Sequence, residues 1–177
     1  MRMAAVARSM MTKLRTDDDR AFFGEFVKPM GRNPPDNFDF PRRILRTGVG
    51  SVVKLRDVIL DGMGRRYLLA ADTDTITARV QFREFRLVEM STQLTWSRLT
   101  TVVDPVTKLE RDDEPRSFGK IWCSMEAPAQ YTDTDIRVRQ LRYRIITGAA
   151  LVEGDRLDDK RVVTVSRQLG VTFAEVE

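Results

Sequence analysis

"LVEGDRLDDKRVVTV", residues 151–165, is the stretch on which the fold turns. Leu151 and Val152 lead into Glu153-Gly154-Asp155, a turn triplet whose glycine can take positive φ. Arg156 and Leu157 form a stub before a second turn at Asp158-Asp159-Lys160, and "RVVTV" then reads as a strand rich in β-branched residues. A chain that turns twice around a two-residue stub is crossing from one sheet edge to another. The two acidic turns therefore read as structural corners that close a barrel, rather than as a reactive site.

Outward from that corner the texture is β. "VVTVS" at 162–166 pairs with "GVTFAEVE" at 170–177 through a turn at Gln168-Leu169-Gly170. Upstream, "RVRQLRYRII" at 137–146 alternates, with Leu141, Tyr143 and Ile145 on one face and Gln140, Arg142 and Arg144 on the other. "FGKIWCSMEA" at 118–127 and "TQLTWSRLTTVV" at 92–103 are further strands, and "APAQYTDTD" at 127–135 is loop. The polar residues 104–117, bracketed by Asp104-Pro105 and Glu114-Pro115, read as a long hairpin tip or exposed loop carrying Lys108, Arg111 and Arg116.

"SVVKLRDVIL" at 51–60 and "RRYLLAAD" at 65–72 form a hairpin across Asp61-Gly62-Met63-Gly64. Residues 77–90, "TARVQFREFRLVEM", fit two patterns. As a strand they need a bulge near Arg83-Glu84, because Val80 and Phe82 are out of phase with Phe85 and Leu87. Helical spacing sets Phe82 and Phe85 against Arg79, Arg83 and Arg86. The flanking threonines favour strand. Roughly eight short strands spaced by turn signals make an all-β barrel or sandwich.

Residues 1–43 read differently, as an arm. "MRMAAVARSMMTKLR" has an Arg-rich, acid-poor start without a signal-peptide apolar block, and residues 3–15 can form a short amphipathic helix. "RAFFGEFVKPMGRNPPDNFDFPRR" at 20–43 combines aromatics and prolines without a sustained period. Such a segment lies along another surface, so Phe22, Phe23, Phe26, Phe38, Phe40, Arg42 and Arg43 are its partner-contact candidates. The expected architecture is thus mainly β: an arm over 1–43 and one barrel domain over 44–177 with a long loop at 104–117.

The inventory of reactive groups is short. The 177 residues contain no histidine, which excludes Ser-His-Asp, Cys-His and histidine-metal chemistry. The single Cys123 permits no internal disulfide and reads as a buried thiol between apolar neighbours. The glycines are scattered, so no phosphate loop is present. "ADTDT" at 71–75 and "TDTD" at 132–135 each pair two aspartates, but lack the glycine-centred loop and bidentate glutamate of a calcium site. Among 26 acidic residues nothing singles out an acid–base pair. No catalytic, cofactor or metal residues are expected, and the apolar runs are too short for a bilayer span.

Charge is uneven. Residues 1–90 carry 17 Lys and Arg against 12 Asp and Glu, residues 91–177 carry 13 against 14, and only 6 of the 30 basic residues are lysine. Arg42, Arg43, Arg46, Lys54, Arg56, Arg65 and Arg66 could form a phosphate-facing stripe, but only Tyr67 is near to stack a base. A solvated outer face is the favoured reading of that stripe.

Residues 139–176, "RQLRYRIITGAALVEGDRLDDKRVVTVSRQLGVTFAEV", resemble the end of the head–tail joining proteins of tailed bacteriophages: the head-completion, stopper or neck proteins. Val152, Gly154, Asp155, Arg156 and Leu157 match the family's turn, and Val163 and Val165 its following strand. The family's aromatic before that strand is replaced by Arg161-Val162. The resemblance implies a small β-barrel with a long loop and an arm, assembled as a ring in the virion neck after synthesis in the host cytoplasm. Such a ring joins a portal or adaptor to tail terminator and tube proteins, closes the DNA channel, and touches packaged DNA without sequence preference. The alternatives are a nucleic-acid-binding β-barrel module, or another tail or baseplate component.

Overall fold

The computed structural model describes residues 11–27, 43–77, 80–104, 106–108, 110–112, 115–127, 142–168 and 170–177. Among them are fourteen β-strands and no helix. The chain divides into two compact units, Met1–Met90 and Ser91–Glu177. The expected arm boundary near residue 43 is therefore corrected: two strands of the first barrel precede it, and the single body over 44–177 is replaced by parts of two units.

The first unit is a closed antiparallel barrel in the order β1 (Thr12–Thr16), β2 (Ala21–Val27), β3 (Ile44–Gly48), β6 (Val80–Met90), β5 (Arg66–Thr77) and β4 (Val58–Leu60). Pairing of Arg15 with Leu60 and of Thr16 with Ile59 closes it. Leu14, Phe22, Leu45, Val53, Ile59, Tyr67, Leu69, Phe85 and Leu87 fill the interior, with Phe26 packed against them.

The "AFFGEFV" segment reads as aperiodic because one inward position is a glycine. Phe22 and Gly24 are both buried. A Cβ on Gly24 would stand 2.9 Å from Leu45 Cδ1 and 3.2 Å from the Phe22 ring. The barrel needs empty space there, so the alternation loses its apolar mark without losing the strand. Residues 12–15, expected at the end of a short helix, are strand for a similar reason: Leu14 and Thr16 are buried while Thr12, Lys13 and Arg15 face out. The rest of that helix, residues 3–10, lies outside the described residues.

Two further details differ from expectation. In 51–60 only Val58–Leu60 is strand, because Arg56 is left-handed (φ 72) and the Asp57 carboxylate caps the Lys54 N–H. The register shift expected in β6 near Arg83-Glu84 falls on its partner instead, between Ala70 and Asp72, where Ala71 has φ 43. The Asp61 turn is as expected: its carboxylate accepts from the Met63 and Arg65 N–H groups, and Gly64 has φ 78.

The second unit is also a closed barrel, in the order β10 (Arg116–Glu126), β11 (Tyr143–Thr147), β14 (Val171–Val176), β13 (Lys160–Gln168), β12 (Arg156–Leu157) and β7 (Thr92–Arg98). Leu94, Cys123, Ile145, Leu151, Leu157, Val162, Ala174 and Val176 form its core. The opening stretch does what its turns require. Stub β12 pairs with β13 on one side and β7 on the other, bridging the two and closing the barrel. Gly154 (φ 88) and Asp158 (φ 53) supply the left-handed corners. Of the expected loop 104–117, residues 110–112 are strand: β9 (Glu110–Asp112) pairs with β8 (Thr101–Val103), and the Asp104 carboxylate accepts from the Val106 and Thr107 N–H groups.

Candidate functional site

The polar centre of the second barrel is Asp155, which is fully buried. Its carboxylate accepts from Arg98 Nε at 2.6 Å and Nη2 at 3.0 Å, from Trp96 Nε1 at 2.9 Å and from the Val152 N–H at 2.9 Å. The Asp155 backbone carbonyl accepts from the Val162 N–H at 2.8 Å. Burial alone would push the carboxyl up. The hydrogen bonds from Arg98, Val152 and Trp96, with the Arg98 charge, outweigh it and hold it below its ordinary 3.8. A carboxylate with its acceptor positions so occupied orients strands; it is not placed to abstract a proton.

Aromatic rings extend from this centre to the surface. Trp96 stacks on Phe118 with centroids 4.3 Å apart and an interplanar angle of 19°. Arg98 lies 5.7 Å from the Trp96 centroid and 5.3 Å from that of Phe118, and Arg116 lies 5.2 Å from that of Phe118. The bulge that places Phe118 is visible in the register: Ser117 faces Ser97 and Gly119 faces Trp96, leaving Phe118 as the extra residue, with Gly119 at φ 86. Arg116 through Lys120 are all exposed.

The solvent side of the same strands is polar and basic. One cross-strand row runs Ser117, Ser97, Arg156, Arg161. The adjacent row pairs Lys120 with Thr95. Arg156, Arg161 and Lys120 are exposed and make no ion pair among the described residues. Three nearby acids are engaged elsewhere: Asp158 accepts from the Thr95 N–H, Asp159 pairs with Lys160, and Glu177, the backbone partner of Arg161, lies 4.0 Å from Arg142. Arg161 also lines a shallow depression with Glu153 and Glu177.

The contact candidates of the first unit are dispersed. Phe22 is in the core, and Phe26 packs against it with its ring 5.8 Å from Tyr67. Phe23 is 57% exposed. Arg43 donates to the Tyr67 hydroxyl at 2.7 Å. Phe38, Phe40 and Arg42 lie outside the described residues. Lys108 is exposed in the β8–β9 turn, and Arg111 is in β9. The arginine stripe is largely neutralised: Arg46 pairs with Glu84 at 2.7 Å, Arg65 with Asp61 at 2.8 Å and Arg66 with Asp17 at 3.4 Å. Cys123 is buried as expected, and burial pushes its thiol up to about 11.

Reading the chain alone missed the Asp155 knot and the Phe118 platform. The one available signal was the pair of alternating residues, Trp96 and Arg98, at the end of "TQLTWSR". Comparison with family models, with curated proteins and with solved structures returned no match.

Proposed function

We propose that this protein is a structural subunit of the neck of a tailed bacteriophage. In this reading it forms a ring between the portal or adaptor and the tail, closes the DNA channel, and provides the platform for tail attachment. The observation that carries the reading is the β8–β9 ribbon. Its two strands pair with each other and, among the described residues, with no strand of either barrel. Val106 at its turn is 87% exposed. A hairpin that leaves its backbone edges and an apolar tip uncommitted is suited to a neighbouring subunit. The likeness of residues 139–176 to neck proteins supplies the class of neighbour. Within it, the matched Gly154-Asp155-Arg156-Leu157 turn is the element that closes the second barrel.

Co-expression with the portal, adaptor and tail-tube proteins encoded in the same genome tests the proposal. Rings seen by electron microscopy, containing this chain bound to at least one of them, are expected. A chain that stays monomeric and apart from all of them overturns it.

A further inference from the structure

We infer that the β8–β9 ribbon docks on a second copy of this chain: β8 adds as a strand to the open edge of β13, and the tip residues Val106 and Lys108 seat in the depression beside Glu153. The inference deepens the neck reading, resting on its ring of identical subunits, and assigns the contact that builds the ring.

One edge of β13 is only partly covered. Its pairing with β12 ends at Arg161, and the bond from the Gly154 N–H to the Val162 carbonyl extends that side by one residue. Over 163–168 the same edge has no backbone hydrogen bond among the described residues. Thr164, Ser166, Arg167 and Gln168 are exposed along it, and it holds neither proline nor glycine. Such an edge accepts an incoming strand. Two other unpaired edges are less open. That of β10 over 116–121 carries the Phe118 bulge and the left-handed Gly119. That of β5 beyond Ala70 begins with a register shift and the left-handed Ala71. Bulges of this kind bend an edge away from further pairing.

The ribbon supplies the strand. β8 is Thr101-Val102-Val103, three β-branched residues, and its side away from β9 is unpaired among the described residues. Laid antiparallel on β13 with Val103 opposite Ser166, it brings Val106 level with Val163, since the two intervals are equal. Val163 lines the depression, together with Val162, Gly154, Glu153, Arg161 and Glu177. Val106 is 87% exposed, and Lys108 (φ 57) is held beside it at the tip. Val106 thus meets the two valines, and the Lys108 ammonium meets two carboxylates set against one guanidinium. Neither Lys108 nor Glu153 has an ion pair of its own among the described residues. Strand and acceptor are different patches of one chain, so the contact is head-to-tail and generates a ring where the rotation per subunit closes.

The test mixes two full-length variants, K108C and E153C, treats them with a short bis-maleimide, and reads dimers on a denaturing gel. It is run on the chain alone and on the co-expressed assemblies. Cys123 is buried and stays unlabelled. The mixture is expected to give cross-linked dimers that neither variant gives alone and that K108C mixed with K54C does not give. In sedimentation, wild type is expected to self-associate. K108E and E153K should each weaken this about fivefold, and the two charge changes combined should restore it to within about twofold. A wild type that stays monomeric in both settings, no dimer from the mixture, equal dimers with K54C, or combined charge changes no better than the single ones would each overturn the inference. So would cross-linking only to a portal, adaptor or tail chain. Rings that contain those partners but give no dimer count against this contact and leave the neck reading standing. Dimers from a chain that binds none of the partners count against the neck reading and leave this contact standing.

Discussion

Asp155 shows how one side chain can hold a barrel together. It is buried with a guanidinium, an indole N–H and a backbone N–H directed at it. D155N should cost about 2–3 kcal/mol in urea unfolding, less than breaking a fully enclosed pair because the Arg98 side chain is 33% exposed. The folded-state pKa of Asp155 lies below its ordinary 3.8, so its contribution is present above that value and is lost as pH falls through it. Wild type and D155N should therefore converge in unfolding midpoint as the solution is acidified below pH 3.8, and differ most near neutrality. Parallel curves at every pH would contradict this. In the first barrel, the Thr47 hydroxyl is buried and without a hydrogen-bond partner among the described residues. T47V removes that unsatisfied oxygen while keeping the shape, and should raise stability by about 1 kcal/mol by the same measurement.

Strands were legible where their alternation was intact. The hairpin of β13 and β14, the stub β12 with its two turns, and the pairing of β4 with β5 follow from residues adjacent in the chain. β2 was hidden because Gly24 occupies an inward position. G24A should cost about 1–3 kcal/mol, since the new methyl meets Leu45 and Phe22 in a filled core; a neutral result would mean that the core there has slack. The β8–β9 ribbon calls for the opposite outcome. Replacing residues 101–112 by a short Gly-Ser linker should leave the melting temperature of the second barrel within a few degrees, because the ribbon pairs only with itself among the described residues. The same deletion should abolish incorporation into rings in the co-expression assay.

The division into Met1–Met90 and Ser91–Glu177 gives each half its own closed sheet and its own core. Expressed separately, each half should show a β-type circular dichroism spectrum and a cooperative thermal transition, although domains of this size have a small stability margin. A half that is unfolded alone would refute its independence. This boundary was not legible. Met90-Ser91 carries no proline or glycine, and the change in charge balance between the halves marks no particular position. The segment that does look like a linker, with its prolines at 34, 35 and 41, lies between β2 and β3 of one barrel.

Local order along the chain was enough to establish an all-β protein, the turn-stub-turn corner and the buried thiol, because alternation and positive-φ turns act between near neighbours. Closure could not be read that way. Whether β4 returns to β1 or β12 to β7, and whether Arg98 and Trp96 reach Asp155, depends on residues some 40 to 60 positions apart. Those contacts form only when the sheet curls on itself, and nothing in the periodicity of either partner encodes the other.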